Sequence, residues 1–312
     1  MSEKAALTIK GLNVDFPGTS VIRNLELSVP ENKTTCIIGE TGSGKSVLLS
    51  AILRILPATA SVSGEIFFDG KDLLTLSEKE MRNILGRTIA YIPQGVGDGM
   101  NPMLRVGGQI SEGLVAHKML ERREAYEKGI SQMEKFGIDE SAKVARKFPH
   151  MLSGGMVQRA LIAMGIIMDA PVILADEPTK GLDSSRIEIV RNSFKQLTGK
   201  TILCVTHDLL FAKDTADYIC VLYSGEIVEY ASSKDFFSNP LHPYSKMMID
   251  ALPSNGLRVY SGFAPPHAEE IKKACSFFDR CPFAEEKCVH HTSTVSLGTR
   301  KVKCRLYDDQ VK

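Results

Sequence analysis

The sequence has no hydrophobic run long enough to cross a membrane. Its longest uninterrupted apolar stretch, residues 160–168, ends at Asp169, whereas a membrane-spanning helix needs about 20 such residues. No apolar segment follows Met1 as a secretory signal would require. We therefore expect a cytoplasmic protein, and any role at the membrane must come through a partner.

The sequence also lacks an excess of charge of either sign. Lys and Arg number 38 against 37 Asp and Glu, which leaves a net charge of +1. This balance excludes a strongly basic nucleic-acid coat and an acidic disordered tail as descriptions of the whole chain, so we expect no nucleic-acid partner. At roughly 150 residues per domain, the 312 residues predict about two domains.

The cysteines give little support for a disulfide framework. Their number, seven, is odd, and disulfides are rare in cytoplasmic proteins. Cys36, Cys204 and Cys220 lie in apolar segments, where we expect small buried side chains. The other four cysteines lie close together near the C-terminus.

Strand and helix patterns alternate along most of the chain. Two stretches of alternating polarity, 7–16 and 21–30, flank Pro17-Gly18 and predict antiparallel strands. Short apolar segments then alternate with helical patterns, which predicts an α/β fold with a mostly parallel sheet. The patterns favour strands at 34–38, 65–68, 88–92, 171–176, 201–205, 219–223 and 226–230, and helices near 45–56, 77–85, 185–197 and 209–216.

The domain boundaries follow from two changes in this pattern. A long helical stretch predicts a helical subdomain at about 95–168. Five prolines between 240 and 266 punctuate a weaker pattern and indicate a boundary. We therefore predict one domain at 5–250 and a small C-terminal module at 251–312.

A glycine-rich loop follows the short apolar strand at 34–38. Its sequence, GETGSGKS, matches G-x-x-x-x-G-K-[ST], in which backbone N–H groups and a helix N-terminus surround phosphates. The lysine can reach the β- and γ-phosphates, and the last hydroxyl can bind Mg²⁺. The loop predicts nucleoside triphosphate binding by Gly39, Glu40, Thr41, Gly42, Ser43, Gly44, Lys45 and Ser46.

Two carboxylates end the apolar strand at 171–176. Asp176 can hold Mg²⁺ directly or through water. Because successive strand residues point in opposite directions, Glu177 is predicted to face the attacking water and act as a general base.

A second candidate anion site precedes that strand. Residues 152–159 read LSGGMVQR and open a helical pattern. Ser153, Gly154 and Gly155 therefore lie at a helix start, where N–H groups favour anions. Taken alone, this motif also suits an ordinary N-cap with a flexible turn.

In their order along the chain, these motifs resemble the nucleotide-binding subunit of ABC transporters. The resemblance extends from residue 5 to about 255 and includes Gln94 after a strand, the segment 181–183 and His207 after another strand. It implies a P-loop NTPase of the ABC type, with an antiparallel β subdomain and a helical subdomain, that hydrolyses ATP with Mg²⁺.

The resemblance also implies roles for individual residues. Phe16 corresponds to the aromatic side chain that stacks on adenine, although a strand residue in the core is the alternative. Gln94 corresponds to the residue that senses γ-phosphate and Mg²⁺, Asp183 to a dimer contact and His207 to the switch histidine. The Ser153 segment would bind ATP held by an opposite subunit, so a second ATPase subunit, homologous or identical, is implied.

Two departures from the family pattern refine this assignment. Met156 stands where the family usually has Gln, as is typical of the oligopeptide and dipeptide importer branch, whose motifs are shared by nickel importers. Residues 95–100 differ from the usual sequence of a loop that faces the permease in this family. We therefore expect either the fit to the permease or the coupling to it to be unusual.

The C-terminal cysteines have the spacing C-x5-C-x6-C-x15-C. Four thiols in a short module, Cys275, Cys281, Cys288 and Cys304, suggest a metal site. With HPYS at 242–245 and RCP at 280–282, the tail resembles the C-terminal extension of peptide-importer ATPases, some of which carry a [4Fe–4S] cluster. That resemblance favours [4Fe–4S] over Zn²⁺, and four unligated cysteines in a docking tail are a further possibility.

The resemblance implies an ATPase subunit, peripheral to the membrane at its cytoplasmic face, that powers peptide import. Membrane permease subunits and, indirectly, an extracytoplasmic solute-binding protein are the implied partners. Import of nickel or a metal chelate is the alternative. A soluble ABC ATPase acting on ribosomes or DNA would show two cassettes, a long coiled coil or a basic face, and the sequence shows none of these. A further alternative is an iron–sulfur redox sensor that uses ATP only for regulation. The presence of Glu177 and His207 argues instead for ATP turnover.

Overall fold

The computed structural model describes residues 3–94, 99–258, 274–290 and 292–310. In these residues the strands are β1 (Ala5–Phe16), β2 (Thr19–Pro30), β3 (Thr34–Ile38), β4 (Ser61–Phe68), β5 (Lys71–Asp72), β6 (Ile89–Ile92), β7 (Val172–Asp176), β8 (Thr201–Thr206), β9 (Tyr218–Tyr223), β10 (Glu226–Ser232), β11 (Thr294–Leu297) and β12 (Arg300–Lys303).

The helices are mostly shorter than the predicted patterns. They are α1 (Lys45–Leu53), α2 (Glu78–Ile84), α3 (Val106–Ala116), α4 (Arg122–Lys135), α5 (Ser141–Val144), α6 (Gly154–Ile166), α7 (Ser184–Gln196), α8 (Leu209–Thr215), α9 (Ser233–Ser238), α10 (Pro243–Asp250) and α11 (Lys287–His290). None of the helices in the described ranges has the length and hydropathy that a membrane span requires.

The described parts of Met1–Pro30, Thr35–Thr75 and Ala216–Lys312 form one compact unit. It contains an antiparallel sheet in the order β2-β1-β4-β5 and a second set of strands in the order β11-β12-β10-β9-β3. As predicted, Pro17 and Gly18 connect β1 to an antiparallel β2. Strand β3 runs parallel to β9, and its apolar residues are buried, so the phosphate loop starts from a fixed strand end.

The segments Glu31–Thr34 and Leu76–Thr215 form the other compact unit. Its strands β8, β7 and β6 are parallel, and all residues of β7 and β8 are buried, which explains their continuous apolar sequences. Helices α3, α4 and α6 pack on one another, and α6 packs on β6. Four helices thus occupy the described part of the predicted helical region, whose residues 95–98 lie outside the described residues.

The hairpin formed by β11 and β12 was not predicted from the sequence. It adds to the edge of β10 and buries Val295 and Val302. Glu229 of β10 is completely buried and accepts hydrogen bonds from the backbone N–H groups of Leu241 (2.9 Å) and His242 (2.8 Å). Arg300 of the hairpin pairs with the same carboxylate at 3.1 Å. Three donors therefore satisfy a charge that would otherwise be costly to bury.

Candidate functional site

The phosphate loop connects β3 to α1, as the sequence predicts. Gly39 is buried, and a Cβ atom there would lie 2.2 Å from the carbonyl oxygen of Leu222, so a larger residue does not fit. Gly44 is the N-cap of α1 with φ +102°, a left-handed conformation that L side chains rarely adopt. The two glycines thus permit the tight loop that the phosphate-binding motif requires.

Lys45 lies buried at the first position of α1. Its Nζ atom donates hydrogen bonds to the carbonyl oxygens of Gly39 (2.7 Å) and Glu40 (2.9 Å). The Ser43 hydroxyl is buried without a hydrogen-bond partner among the described residues, which suits a site that receives a polar ligand. Thr41 and Gly42 are exposed at the tip of the loop, and Ser46 is half-buried.

Glu40 has two partners that the sequence did not predict. Its carboxylate forms a two-pronged ion pair with Arg280, at 3.0 and 2.9 Å. Its backbone N–H donates to the hydroxyl of Tyr244 at 3.0 Å. The C-terminal region therefore contacts the phosphate loop directly.

Phe16 is the last residue of β1. It pairs with Thr19 across the turn to β2 and is half-buried. This position leaves part of the ring accessible, and its stacking on adenine stays a prediction.

Asp176 is buried at the C-terminal end of β7. Tyr91 of β6 donates a hydrogen bond to its carboxylate. Burial, and then the nearby negative charge of Asp176, raise the pKa of Tyr91 to about 12. The hydroxyl therefore stays protonated at neutral pH and can hold the carboxylate in place.

Glu177 does not continue the strand, contrary to the alternation argument. Strand β7 ends at Asp176, and Glu177 has φ +47°, so a left-handed turn and not the strand repeat redirects its side chain. The backbone N–H of Glu177 donates to Val205 at 2.9 Å. The backbone conformation thereby sets the direction of the Glu177 side chain, which is 8% exposed.

Glu177 and His207 form a close pair. Their Oε2 and Nδ1 atoms are 2.7 Å apart, and the backbone N–H of His207 donates to the same oxygen at 3.2 Å. The imidazole is 56% exposed, so it can meet a ligand or solvent on its other side. This arrangement suits a carboxylate base oriented by a histidine.

Gln94 follows β6 after Pro93 and is half-buried. Residues 95–98 of the atypical loop lie outside the described residues. Asn101, which follows them, donates its N–H to Gln109 at 2.7 Å and accepts from Met103 at 2.9 Å.

The segment at 152–159 contains the start of α6, as predicted. Ser153 is the N-cap, and its hydroxyl accepts from the N–H of Met156 at 3.4 Å; Gly154 begins the helix. A Cβ atom at Gly155 would lie 2.8 Å from the Arg186 side chain, so a larger residue there would displace that side chain. Buried Gln158 donates to the carbonyl of Pro178 at 3.1 Å and connects α6 to the turn after Glu177. Sequence reasoning did not assign this role to Gln158.

Asp183 is the N-cap of α7. Its carboxylate accepts from Ser185 (2.6 Å) and from the N–H of Arg186 (3.1 Å), and it pairs with the Arg186 guanidinium at 2.7 Å. The hydrogen bond from Ser185 contributes most to lowering the pKa of Asp183. This local role accounts for an aspartate here, while the dimer contact stays a prediction.

Cys275, Cys281, Cys288 and Cys304 line one cavity of about 210 Å³. Burial, and to a lesser extent the other three cysteines, raise the pKa of the Cys304 thiol to about 11. The pKa values of Cys275 and Cys281 are also raised, chiefly by burial. At neutral pH these three side chains are therefore protonated thiols, and metal binding would have to displace protons.

The four-cysteine cavity has the donor chemistry of a metal or iron–sulfur site but not its arrangement. Thiolates are ligands for both Zn²⁺ and iron–sulfur clusters. Within the described residues, however, no group of three or more His, Cys, Asp or Glu side chains is arranged to hold a metal ion. His242, which also lines the cavity, is completely buried, and burial lowers its pKa to about 3, so it is neutral.

Comparison with known families agrees with the motif order. Residues 22–180 match the ABC transporter family, and residues 228–288 match the C-terminal region of oligopeptide and dipeptide transporters. The dipeptide transport ATP-binding protein DppD of Bacillus subtilis is 34% identical over 98% of this chain and 96% of its own length. The oligopeptide transport ATP-binding protein OppD of Escherichia coli is 33% identical over 91% of this chain and 88% of its own length.

Solved structures show the same fold. A dimeric ATP-binding cassette in a post-hydrolysis state, bound to ADP and Pi, has a TM-score of 0.66 at 26% identity and covers 73% of this chain and 98% of its own. The cbiO1 protein of Clostridium perfringens, part of the ABC transporter complex cbiONQ, has a TM-score of 0.62 at 26% identity and covers 80% of this chain and 96% of its own. The chain is an ATPase of the ABC transporter family.

Proposed function

We propose that this chain powers the import of di- or oligopeptides through separate membrane permease subunits. The observation that carries the proposal is the match of residues 228–288 to the C-terminal region of oligopeptide and dipeptide transporters, joined to an ABC cassette in one chain. The relatives named for dipeptide and oligopeptide transport support peptides over nickel as the cargo. The subunit would work at the cytoplasmic face of the membrane. An extracytoplasmic solute-binding protein would deliver the peptide to the permease.

Each candidate residue has a proposed part in ATP hydrolysis. The loop at 39–46 would bind the phosphates, with Lys45 moving from its loop carbonyls to the β- and γ-phosphates. Ser46, Gln94 and Asp176 offer oxygen atoms, which Mg²⁺ prefers, and the ion would neutralise charge on the phosphates. Glu177, oriented by His207, would accept the proton of the attacking water, and Phe16 would stack on adenine.

We also propose that two ATPase subunits bind ATP together. Ser153, Gly154 and Gly155 would contact the γ-phosphate held by the opposite subunit, and Asp183 would lie at the same interface. The helix N-terminus at Ser153 supplies N–H groups and positive potential for that contact. Loss of the γ-phosphate would then weaken the dimer and drive the permease.

Transport assays in the complete system distinguish peptide from nickel import. Cells that lack the chromosomal copy should regain uptake of a labelled dipeptide or oligopeptide when the chain is supplied with its permease and binding protein. Uptake of labelled Ni²⁺ without any peptide uptake would contradict the proposal. An Arg123→Gln variant, altered at an exposed helix position, serves as the matched control and should transport normally.

Replacement of Lys45 by Ala should weaken ATP binding by at least about a hundredfold. The side chain supplies the one charged group of the loop that can reach both terminal phosphates, and charge-assisted hydrogen bonds to such groups are the strong ones. Titration with a fluorescent ATP analogue and Mg²⁺ measures the effect. Lys33→Ala, which removes a lysine before β3, is the control, and equal losses in both variants would refute the assignment of the loop.

We further propose that Cys275, Cys281, Cys288 and Cys304 bind a [4Fe–4S] cluster, with Zn²⁺ as the alternative. The support is that all four thiols line one cavity and that the tail resembles extensions in which such a cluster occurs. When bound, the cluster would supply a covalent connection among four separated segments of the tail.

Anaerobically purified protein should contain iron and sulfide at about four each per chain. Elemental analysis and the absorption of the brown protein measure this content. A Cys281→Ser variant should lose most of it, whereas Cys36→Ser, at a buried cysteine in β3, should keep it. Stoichiometric zinc, or no bound metal, would show that the cluster assignment is wrong.

A further inference from the structure

Arg280 connects the cysteine-containing tail to the phosphate loop. It immediately precedes Cys281, whose side chain lines the four-cysteine cavity. Its two terminal nitrogens donate separately to the two carboxylate oxygens of Glu40, 240 residues away in the sequence. This planar, two-pronged geometry is specific to Arg and a carboxylate, and it fixes direction as well as distance.

Aromatic rings enclose the guanidinium and shield the ion pair. Its central carbon lies 5.7 Å from the ring centre of Tyr223, 5.9 Å from Tyr244 and 5.6 Å from Phe277. The Arg280 side chain is only 9% exposed, although Glu40 is 37% exposed. Cation–π contact and the burial of the guanidinium distinguish this pair from an ordinary surface ion pair, in which both charges are open to water.

Three groups of Glu40, its carboxylate, its N–H and its carbonyl, are each held by a different partner. Arg280 holds its carboxylate, the Tyr244 hydroxyl accepts from its N–H, and its carbonyl accepts from the Lys45 ammonium at 2.9 Å. The second residue of the phosphate loop therefore has little freedom to rotate, and the carbonyl that receives Lys45 is fixed with it. A loop that is already ordered loses less entropy when it closes around a phosphate.

We propose that Arg280 is a positioning residue through which the C-terminal tail sets the affinity of the phosphate loop for ATP. The inference rests on the assignment of residues 39–46 as that loop. Arg280 touches no phosphate in this role and acts through Glu40. Loss of the contact would free Glu40 and loosen the loop, so ATP would bind more weakly while the chemical step is little changed.

Arg280→Gln tests the proposal on the full-length chain. We expect the dissociation constant of a fluorescent ATP analogue with Mg²⁺ to rise about tenfold, within the range seen when contacts that couple two sites are removed. The KM for ATP should rise similarly, and kcat should change by less than about twofold. Glu40→Gln should also weaken ATP binding. The double variant should bind ATP no more weakly than whichever single variant binds it less tightly, because each substitution removes the same contact.

Lys303→Gln is the matched control. Lys303 pairs with Glu226 at 2.7 Å and joins the tail to β10 without touching Glu40. It should bind ATP as the unaltered chain does. Unchanged affinity in Arg280→Gln, equal losses in the control, or additive losses in the double variant would overturn the proposal.

Two further measurements keep the outcomes separate. If Arg280→Gln fails to fold, Glu40→Gln reports on the same contact from its exposed end, and unchanged affinity there refutes the proposal. If Lys45→Ala binds ATP normally, the assignment of the loop fails first. If Lys45→Ala loses ATP affinity as expected and Arg280→Gln keeps the affinity of the unaltered chain, only the positioning role is refuted.

Discussion

Replacement of Glu177 by Gln should abolish ATP turnover while ATP binding persists. Glutamine has nearly the same size, and its carbonyl oxygen can still accept from the backbone N–H of His207, so the buried side chain keeps its place. It cannot accept the proton of the attacking water. General base catalysis contributes about 10²- to 10⁴-fold, and we expect kcat to fall by at least that lower figure.

Steady-state phosphate release and binding of a fluorescent ATP analogue measure the two effects separately. Glu188→Gln, an exposed carboxylate on α7, is the control and should hydrolyse ATP normally. In Mg²⁺ and ATP, the Glu177→Gln chain should also accumulate as a dimer on size-exclusion chromatography, because the nucleotide is not cleaved. A kcat within about threefold of the unaltered chain would show that another group is the base.

Local motifs predicted the elements of the fold more completely than the contacts between them. The helix predicted near 77–85 forms as α2, and its capping box joins Ser77 and Glu80, which lie within one helical turn. The strands of continuous apolar sequence are buried and parallel, because only that environment accommodates apolar residues on both faces. Each of these predictions depends on neighbours a few residues apart.

Contacts between distant residues were invisible in the sequence. The Glu177–His207 pair spans 30 residues, and it depends on a left-handed turn that strand alternation could not predict. The Arg280–Glu40 pair depends on the path of the whole tail. Sequence identified Arg280 only as part of a resemblance and Glu40 only as a variable position of the loop motif, so nothing indicated that they meet.

The hairpin at 294–303 escaped prediction for a related reason. Its strands have four residues each, and Thr294, Ser296, Arg300 and Lys301 dilute their apolar pattern. What stabilises the hairpin is its packing on β10 and the pairing of Arg300 with buried Glu229. Tertiary contacts, not local propensity, therefore decide this element.

Replacement of Glu229 by Ala should lower the free energy of unfolding by about 3–5 kcal/mol. The carboxylate is completely buried, and it is the acceptor for the N–H groups of Leu241 and His242 and for Arg300. Without it, two backbone donors and a largely buried guanidinium lose that acceptor. Urea unfolding followed by circular dichroism measures the loss as a lower midpoint.

Glu226→Ala is the matched control for this prediction. Glu226 lies on the same strand and pairs with Lys303 at 2.7 Å and with Arg23 at 3.5 Å. Its side chain is largely but not completely buried, at 15% exposed, and its partners are 21% and 23% exposed, so water can replace part of each lost contact. We therefore expect a loss of about 1 kcal/mol or less. Equal losses in the two variants would mean that Glu229 is not the anchor of the hairpin. If the hairpin holds in place the tail that carries Arg280, Glu229→Ala should lose more unfolding free energy than Glu226→Ala and should also bind ATP more weakly.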